Sequence, residues 1–460
     1  MQIQLSDHFD YKRILRFTLP SVLMLVFTSI YGVVDGFFVS NFADKTAFTA
    51  INFIYPYIMI LGAPGFMLGT GGSALISKIL GEDAGKSFDG PTRADKTFSM
   101  LVYTSVAIGA LLAILGVTTV GPVAALLGAE GDMLEDCILY GRVLSISIPA
   151  FILQNLFQSL CVTAEKPKLG LYFTVMAGVT NMVLDALLVV VIPLGLLGAA
   201  LATALSQLIG GVVPLFFFGR RATGLLHLVP ARPNFGSLGR ICFNGSSELL
   251  SNISMSVVGM LYNAQLMSIA GEDGIAAYGV LMYVNFIFIS AFIGYAVGIA
   301  PVIGFHYGAG NSDELKSLRK KSSVIILLSS LIMFASSELL AYPLSYMFVG
   351  YDEALLAMTL RGFRLYSFCF LFAGLSIFIS SFFTALNDGL ISAVQSFART
   401  IVFQVGGVLL LPMLFGIEGG LFSGLLTALD GVWLSVVFSD LFSLILGLCL
   451  LAAFKKKYKY

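Results

Sequence analysis

The chain has 460 residues, 58% hydrophobic and only 11% charged, with 26 basic and 26 acidic side chains that leave no formal net charge. Soluble domains carry about 25% charged residues, and apolar runs recur here along the whole length, so the composition excludes an ordinary water-soluble globule and calls for lipid as solvent. Five scattered cysteines without a CxxC pair and three histidines without ligand spacing exclude a disulfide framework and a zinc site.

An apolar run of about 20 residues crosses the hydrocarbon core as a helix. Twelve runs fit, at roughly 14–40, 47–80, 97–121, 137–163, 168–192, 196–219, 240–270, 274–308, 322–348, 357–386, 389–414 and 431–454. The first is too long for a signal-peptide core and no cleavage site follows it, so it is read as span one. Lys and Arg then set the orientation. With the N-terminus inside, the inner segments collect Lys12, Arg13 and Arg16; Lys78 to Lys96; Lys166 and Lys168; Arg220 to Arg240; Lys316 to Lys321; and Lys455 to Lys459. The outer loop around Glu130, Asp132, Glu135 and Asp136 has no basic residue. Both termini are expected in the cytoplasm.

The Pro-containing stretch 220–239 divides the chain into six spans and six spans. The halves look related: Gly198, Leu201, Ser206 and Leu208 of span six recur in order as Gly431, Leu434, Ser439 and Leu441 of span twelve. Thr163-Ala164 likewise matches Thr384-Ala385, and Pro193 matches Pro412, with an insertion implied near Gly416–Asp430. The expected architecture is an all-α integral membrane protein with twelve transmembrane helices in two pseudo-symmetric six-helix lobes, residues 1–219 and 240–460. Parallel repeats of this kind are common in secondary transporters.

A charge at membrane depth costs at least a few kcal/mol and needs a reason. Asp35 lies in span one; Asn181 and Asp185 lie in span five at a spacing that puts them on one helix face. At about 1.5 Å per residue, Asp35 is roughly 28 Å above Arg16 and Asp185 roughly 25 Å above Lys168. Thr203, about 10 Å below the outer end of span six, reaches the same outer half. Two carboxylates, an amide oxygen and a hydroxyl suit a hard cation such as Na⁺. Two adjacent carboxylates can equally hold a proton, because both cannot cheaply be ionised side by side. In the second half, the positions aligned with Asp35, Asn181 and Asp185 are Gly259, Thr400 and Gln404. That half offers Glu248 in span seven instead, with Arg399 in span eleven as a partner, and Asp440 in span twelve. Gly69-Thr-Gly-Gly-Ser73 and Gly294-Tyr-Ala-Val-Gly298 are small-residue stretches that let helices approach closely.

Asp35-Gly-Phe-Phe-Val39 and the Asn181/Asp185 pair resemble signatures of the multidrug and toxic compound extrusion (MATE) family. Asn244-Gly-Ser-Ser-Glu-Leu249, Tyr307-Gly-Ala-Gly-Asn311 and Thr163-Ala-Glu-Lys-Pro167 resemble its DinF/MepA-like branch. The resemblance covers essentially the whole chain. It implies two lobes around a V-shaped cleft, and export of drugs, toxic organic cations or metabolites in exchange for Na⁺ or H⁺. It also implies a cation site at Asp35, Asn181, Asp185 and Thr203, where Na⁺ would bind. Glu248 is the candidate substrate-binding residue. No covalent cofactor, enzymatic activity or nucleic-acid partner is expected. The expected form is a functional monomer, multi-pass in the plasma membrane, of bacterial inner-membrane type. The alternative is a flippase for lipid-linked precursors, which would need free cations in a central cavity for pyrophosphate. The basic residues outside the inner loops and termini are Lys45, Arg142, Arg361, Arg364 and Arg399.

Overall fold

The computed structural model describes residues 3–42, 45–86, 90–219, 225–416 and 426–460. Every span drawn from the sequence is helical: α1 Tyr11–Phe42, α2 Lys45–Glu82, α3 Arg93–Leu126, α4 Gly131–Thr163, α5 Pro167–Val191 and α6 Gly195–Gly219. A single 74-residue helical run, Phe235–Gly308, follows. At about 1.5 Å per residue it is more than three times the thickness of a bilayer core. It breaks at Gly271, whose φ of 63° and ψ of −150° favour a residue without Cβ, and so forms two spans, α7 (235–270) and α8 (272–308). Then come α9 Ser312–Val349 and α10, two pieces, Glu353–Ser367 and Phe370–Ala385, bent by 45° at their junction. The last spans are α11 Gly389–Phe415 and α12 Ala428–Tyr458. Among the described residues, ten helices are separately long and apolar enough to cross a membrane. Counting the 74-residue run as two spans and the bent pair as one gives twelve.

The helix ends follow local chemistry. Thr92 and Asp95 form a capping box at α3, and Thr427 and Asp430 form one at α12. Asn311 caps α9 by accepting from Glu314 N. Helix α7 starts at Phe235, inside the stretch read as an inter-lobe loop, because Asn234 caps it through Ser237 N. The stretch before it is fastened to α3: His227 N donates to Asp95 Oδ1 at 2.8 Å and Val229 N to Ser99 Oγ at 2.8 Å. Residues 220–224, with Arg220 and Arg221, and 417–425, the body of the implied insertion, lie outside the described residues.

The small-residue stretches act as expected. A methyl group at Gly294 would lie 2.6 Å from Val22 Cα, and one at Gly71 would overlap the Ile241 carbonyl. Helix α8 can therefore seat on α1, and α2 on α7, only because these positions lack a side chain. The chain start joins the same end of the bundle. Leu5 and Phe9 are fully buried, Leu5 N donates to Glu165 Oε1 at 2.6 Å, and Phe9 N donates to Glu314 Oε1 at 2.9 Å.

Candidate functional site

The four residues singled out in the first half converge. Asp35 of α1 lies beside Asp185 and Asn181 of α5. Asn181 and Asp185 are buried, at 1% and 0% exposure. Thr203 of α6 meets the group through Tyr140 of α4, whose phenol faces the Thr203 hydroxyl, Asp35 and Asp185. Among the described residues, six polar atoms here are buried without a well-formed hydrogen bond: Asp35 Oδ1, both oxygens of Asp185, Oδ1 and Nδ2 of Asn181, and Thr203 Oγ1. The Asp35 and Asp185 carboxyls lie against each other, and the Tyr140 phenol against the Thr203 hydroxyl. Buried polar groups are nearly always paired, and unanswered carboxylate oxygens in a water-poor setting are costly. Five of the six are oxygens, the donor set of a hard cation.

Helix α5 helps to set this geometry. Directly after Asp185 it leaves α-geometry for a π-helical segment, Ala186–Val191. Such segments are rare and occur often at functional sites. Its counterpart in the second half, α11, has a π-helical segment at Ala398–Val405, around the aligned residues Thr400 and Gln404. The halves therefore share a backbone irregularity that sequence reading missed. Tyr140, buried at 3% exposure, was missed as well; a tyrosine among apolar residues carries no distinguishing signal.

The second half resolves its charges differently. The sequence suggested Arg399 as partner of Glu248. The structure instead pairs it with Asp440, Nε to Oδ1 at 2.7 Å, while Ser439 Oγ donates to the Arg399 carbonyl at 2.7 Å. The reason is packing: α11 lies along α12, so the guanidinium meets the buried carboxylate of α12 first. Nearby, Tyr262 and Ser435 hydroxyls bond at 2.6 Å and Tyr262 stacks on Tyr278 at 5.0 Å. Glu248 makes no salt bridge among the described residues and feels Arg399 only electrostatically. It lines a small cavity of about 50 Å³ between the halves with Thr70 and Ser73 of α2, Ser159 of α4, and Ser381 and Thr384 of α10. That volume holds a few waters or an ion, not a drug-sized molecule.

Comparison with known proteins decides the family. The MatE family model matches the chain twice, over residues 20–187 and 249–409. The protein belongs to the MATE family of transporters. The two matches fall one on either side of the stretch 220–239. The multidrug export protein MepA of Staphylococcus saprophyticus is 24% identical over 414 residues, covering 89% of this chain and 87% of its own. MepA of Staphylococcus aureus is 25% identical over 448 residues, covering 96% and 92%. Among solved structures, a MATE protein in complex with MaL6 superposes with a TM-score of 0.89 at 22% identity, covering 98% of each chain. A multidrug resistance MATE transporter in an outward-facing conformation gives 0.88 at 22% identity, covering 100% of this chain and 98% of that one. The MATE fold is thus shared across the whole length, and the chain is a multi-pass membrane transporter rather than an enzyme.

Proposed function

We propose that this protein exports drugs or other organic cations in exchange for Na⁺ or H⁺, with the coupling ion bound by Asp35, Asn181, Asp185 and Thr203. The observation that carries this reading is the cluster of two buried carboxyls, an amide and a hydroxyl in the first half, none of which forms a salt bridge or a well-formed hydrogen bond among the described residues. The names of the MepA relatives support the export of drugs. In this reading, residues 1–219 and 240–460 are the two six-helix lobes, joined by a cytoplasmic segment at 220–239, with both termini cytoplasmic. Glu248, in the cavity between them, supplies the negative charge that an organic cation would meet first. The precursor-flippase reading loses support from the ion pairs: Arg399 is bound to Asp440 and Arg361 to Asp430, both at 2.7 Å, so neither is free for a pyrophosphate.

Efflux of a fluorescent organic cation from vesicles, with Na⁺ and pH gradients imposed separately, tests the proposal. One of the two gradients should drive concentrative export, and Asp185→Asn should remove that drive. Export indifferent to both gradients would end the antiport reading.

A further inference from the structure

The basic residues of α1 and of the α4–α5 turn do more than mark topology. Lys12, Arg16, Lys166 and Lys168 have no carboxylate within salt-bridge distance among the described residues, unlike Lys86, Arg93, Arg361, Arg399 and Lys457. Three of the four, Arg16, Lys166 and Lys168, edge one cavity of about 390 Å³ between α1 and α5, floored by Phe17, Leu169 and Tyr172. The acid in its wall, Glu165, is engaged by Leu5 N at 2.6 Å. A second groove, of about 580 Å³, runs from Lys12 and Arg16 along the other side of α1, between α1 and α8/α9. Beyond those two cations its walls are mostly apolar, with Leu19, Val22, Phe292, Ile326 and Met333 among them. Arg16 belongs to both. Leu15 and Leu19 of this wall, and Leu23 one turn beyond Leu19, are about half exposed, as lipid-facing side chains are.

A pocket rich in cations joined through one arginine to a long apolar groove at a helix end has the charge and polarity of one ligand class. We propose that it binds an anionic phospholipid, the phosphate held by Arg16, Lys166 and Lys168 and an acyl chain laid in the groove along α1. Basic pockets between spans recognise anionic head groups in this way, each Lys or Arg near the surface contributing about 1 kcal/mol, or roughly fivefold in affinity. The site touches α1 together with elements of both halves, so its occupant would sit where the halves meet.

The test uses the purified full-length protein and native mass spectrometry, counting phosphatidylglycerol or phosphatidylcholine of identical acyl chains retained on the protein. Wild type should retain phosphatidylglycerol preferentially, and Arg16→Gln and Lys168→Gln should each lower retention roughly fivefold. Lys316→Gln with Lys320→Gln, away from the groove, should not change it. Equal retention of the two lipids, or unchanged retention in the Arg16 and Lys168 variants, would overturn the proposal. So would displacement of phosphatidylglycerol by millimolar inorganic phosphate, which would mark a free-anion site. The acyl arm is read separately. A Leu19→Trp variant should be quenched more by acyl-brominated phosphatidylglycerol than by acyl-brominated phosphatidylcholine. Equal quenching would refute the groove assignment.

Discussion

Asp185 has no exposed surface, and its carboxyl lies against that of Asp35 with no basic side chain to answer it among the described residues. Asp440 is as deeply buried but is answered by Arg399 at 2.7 Å. The contrast separates a carboxyl left without a basic partner from one already answered, and together with the proposed function it yields two predictions. Asp35→Asn and Asp185→Asn should each abolish the cation dependence of transport, whereas Glu248→Gln should alter substrate affinity and keep that dependence. Transport rates against Na⁺ concentration and pH for the three variants decide it; the reverse pattern would move coupling into the second half. Arg399→Gln, by contrast, should act on stability. It strands the buried Asp440 carboxylate, a loss of about 3–5 kcal/mol for pairs of this kind. The apparent melting temperature should fall sharply, and adding Asp440→Asn should restore most of it. A double variant as unstable as the single would show that the pair is not the cause.

Among the helices, the sequence carries the existence and order of all twelve, because each is a predominantly apolar run bounded by charge or by turn residues; the bend in α10, whose first piece holds Arg361 and Arg364, has no such local signal. The capping boxes at Thr92 and Thr427, and the break at Gly271, refine those boundaries by a few residues. The candidate cation site was legible because a carboxylate inside such a run is conspicuous and an i,i+4 pair fixes a shared face. The Arg399–Asp440 pairing was not, since it depends on how α11 is rotated against α12, which no local pattern fixes. Nor were the π-helical segments, which alter rotation without a residue type to announce them. Another contact beyond local pattern ties the end of α12 to the turn before α11. Asp388 accepts from Lys457 Nζ at 2.9 Å and from the Tyr458 hydroxyl. Partial burial alone would raise the Asp388 carboxyl; the hydrogen bonds from Tyr458 and Lys457 outweigh it and hold the group below the usual carboxylate range. Its folded-state pKa is therefore depressed. The stability it contributes is fully present above the unfolded value of about 3.9 and is lost as pH falls through the folded value. The melting temperature of Asp388→Asn should lie below that of wild type by a constant amount from pH 7 to about pH 5, and the gap should close in stronger acid. A gap that is unchanged at pH 3 would show that the tether does not rest on the ionised carboxylate.

For the whole molecule, orientation is the quantity on which the functional reading turns. Twelve spans place both chain ends on one side, and the same side receives Arg232 and the loop before α9. The loop before α4, with Glu130 and Asp132, falls on the other. Asp35, Asn181, Asp185 and Thr203, the proposed cation site, lie toward the ends of α1, α5 and α6 that share the acidic loop's side. Basic loops stay on the cytoplasmic side of most membrane proteins, so the site should be reached by ions from outside, as exchange of an external cation for an internal substrate demands. Single cysteines at Arg232 and Asp132, in a background with Cys137, Cys161, Cys242, Cys369 and Cys449 replaced, test this directly. An impermeant thiol reagent added to intact cells should label the cysteine at 132 and spare the one at 232, and permeabilisation should expose the second. Labelling at 232 in intact cells would invert the molecule. The cation cluster would then open toward the cytoplasm, and an inward ion gradient could no longer load it from outside.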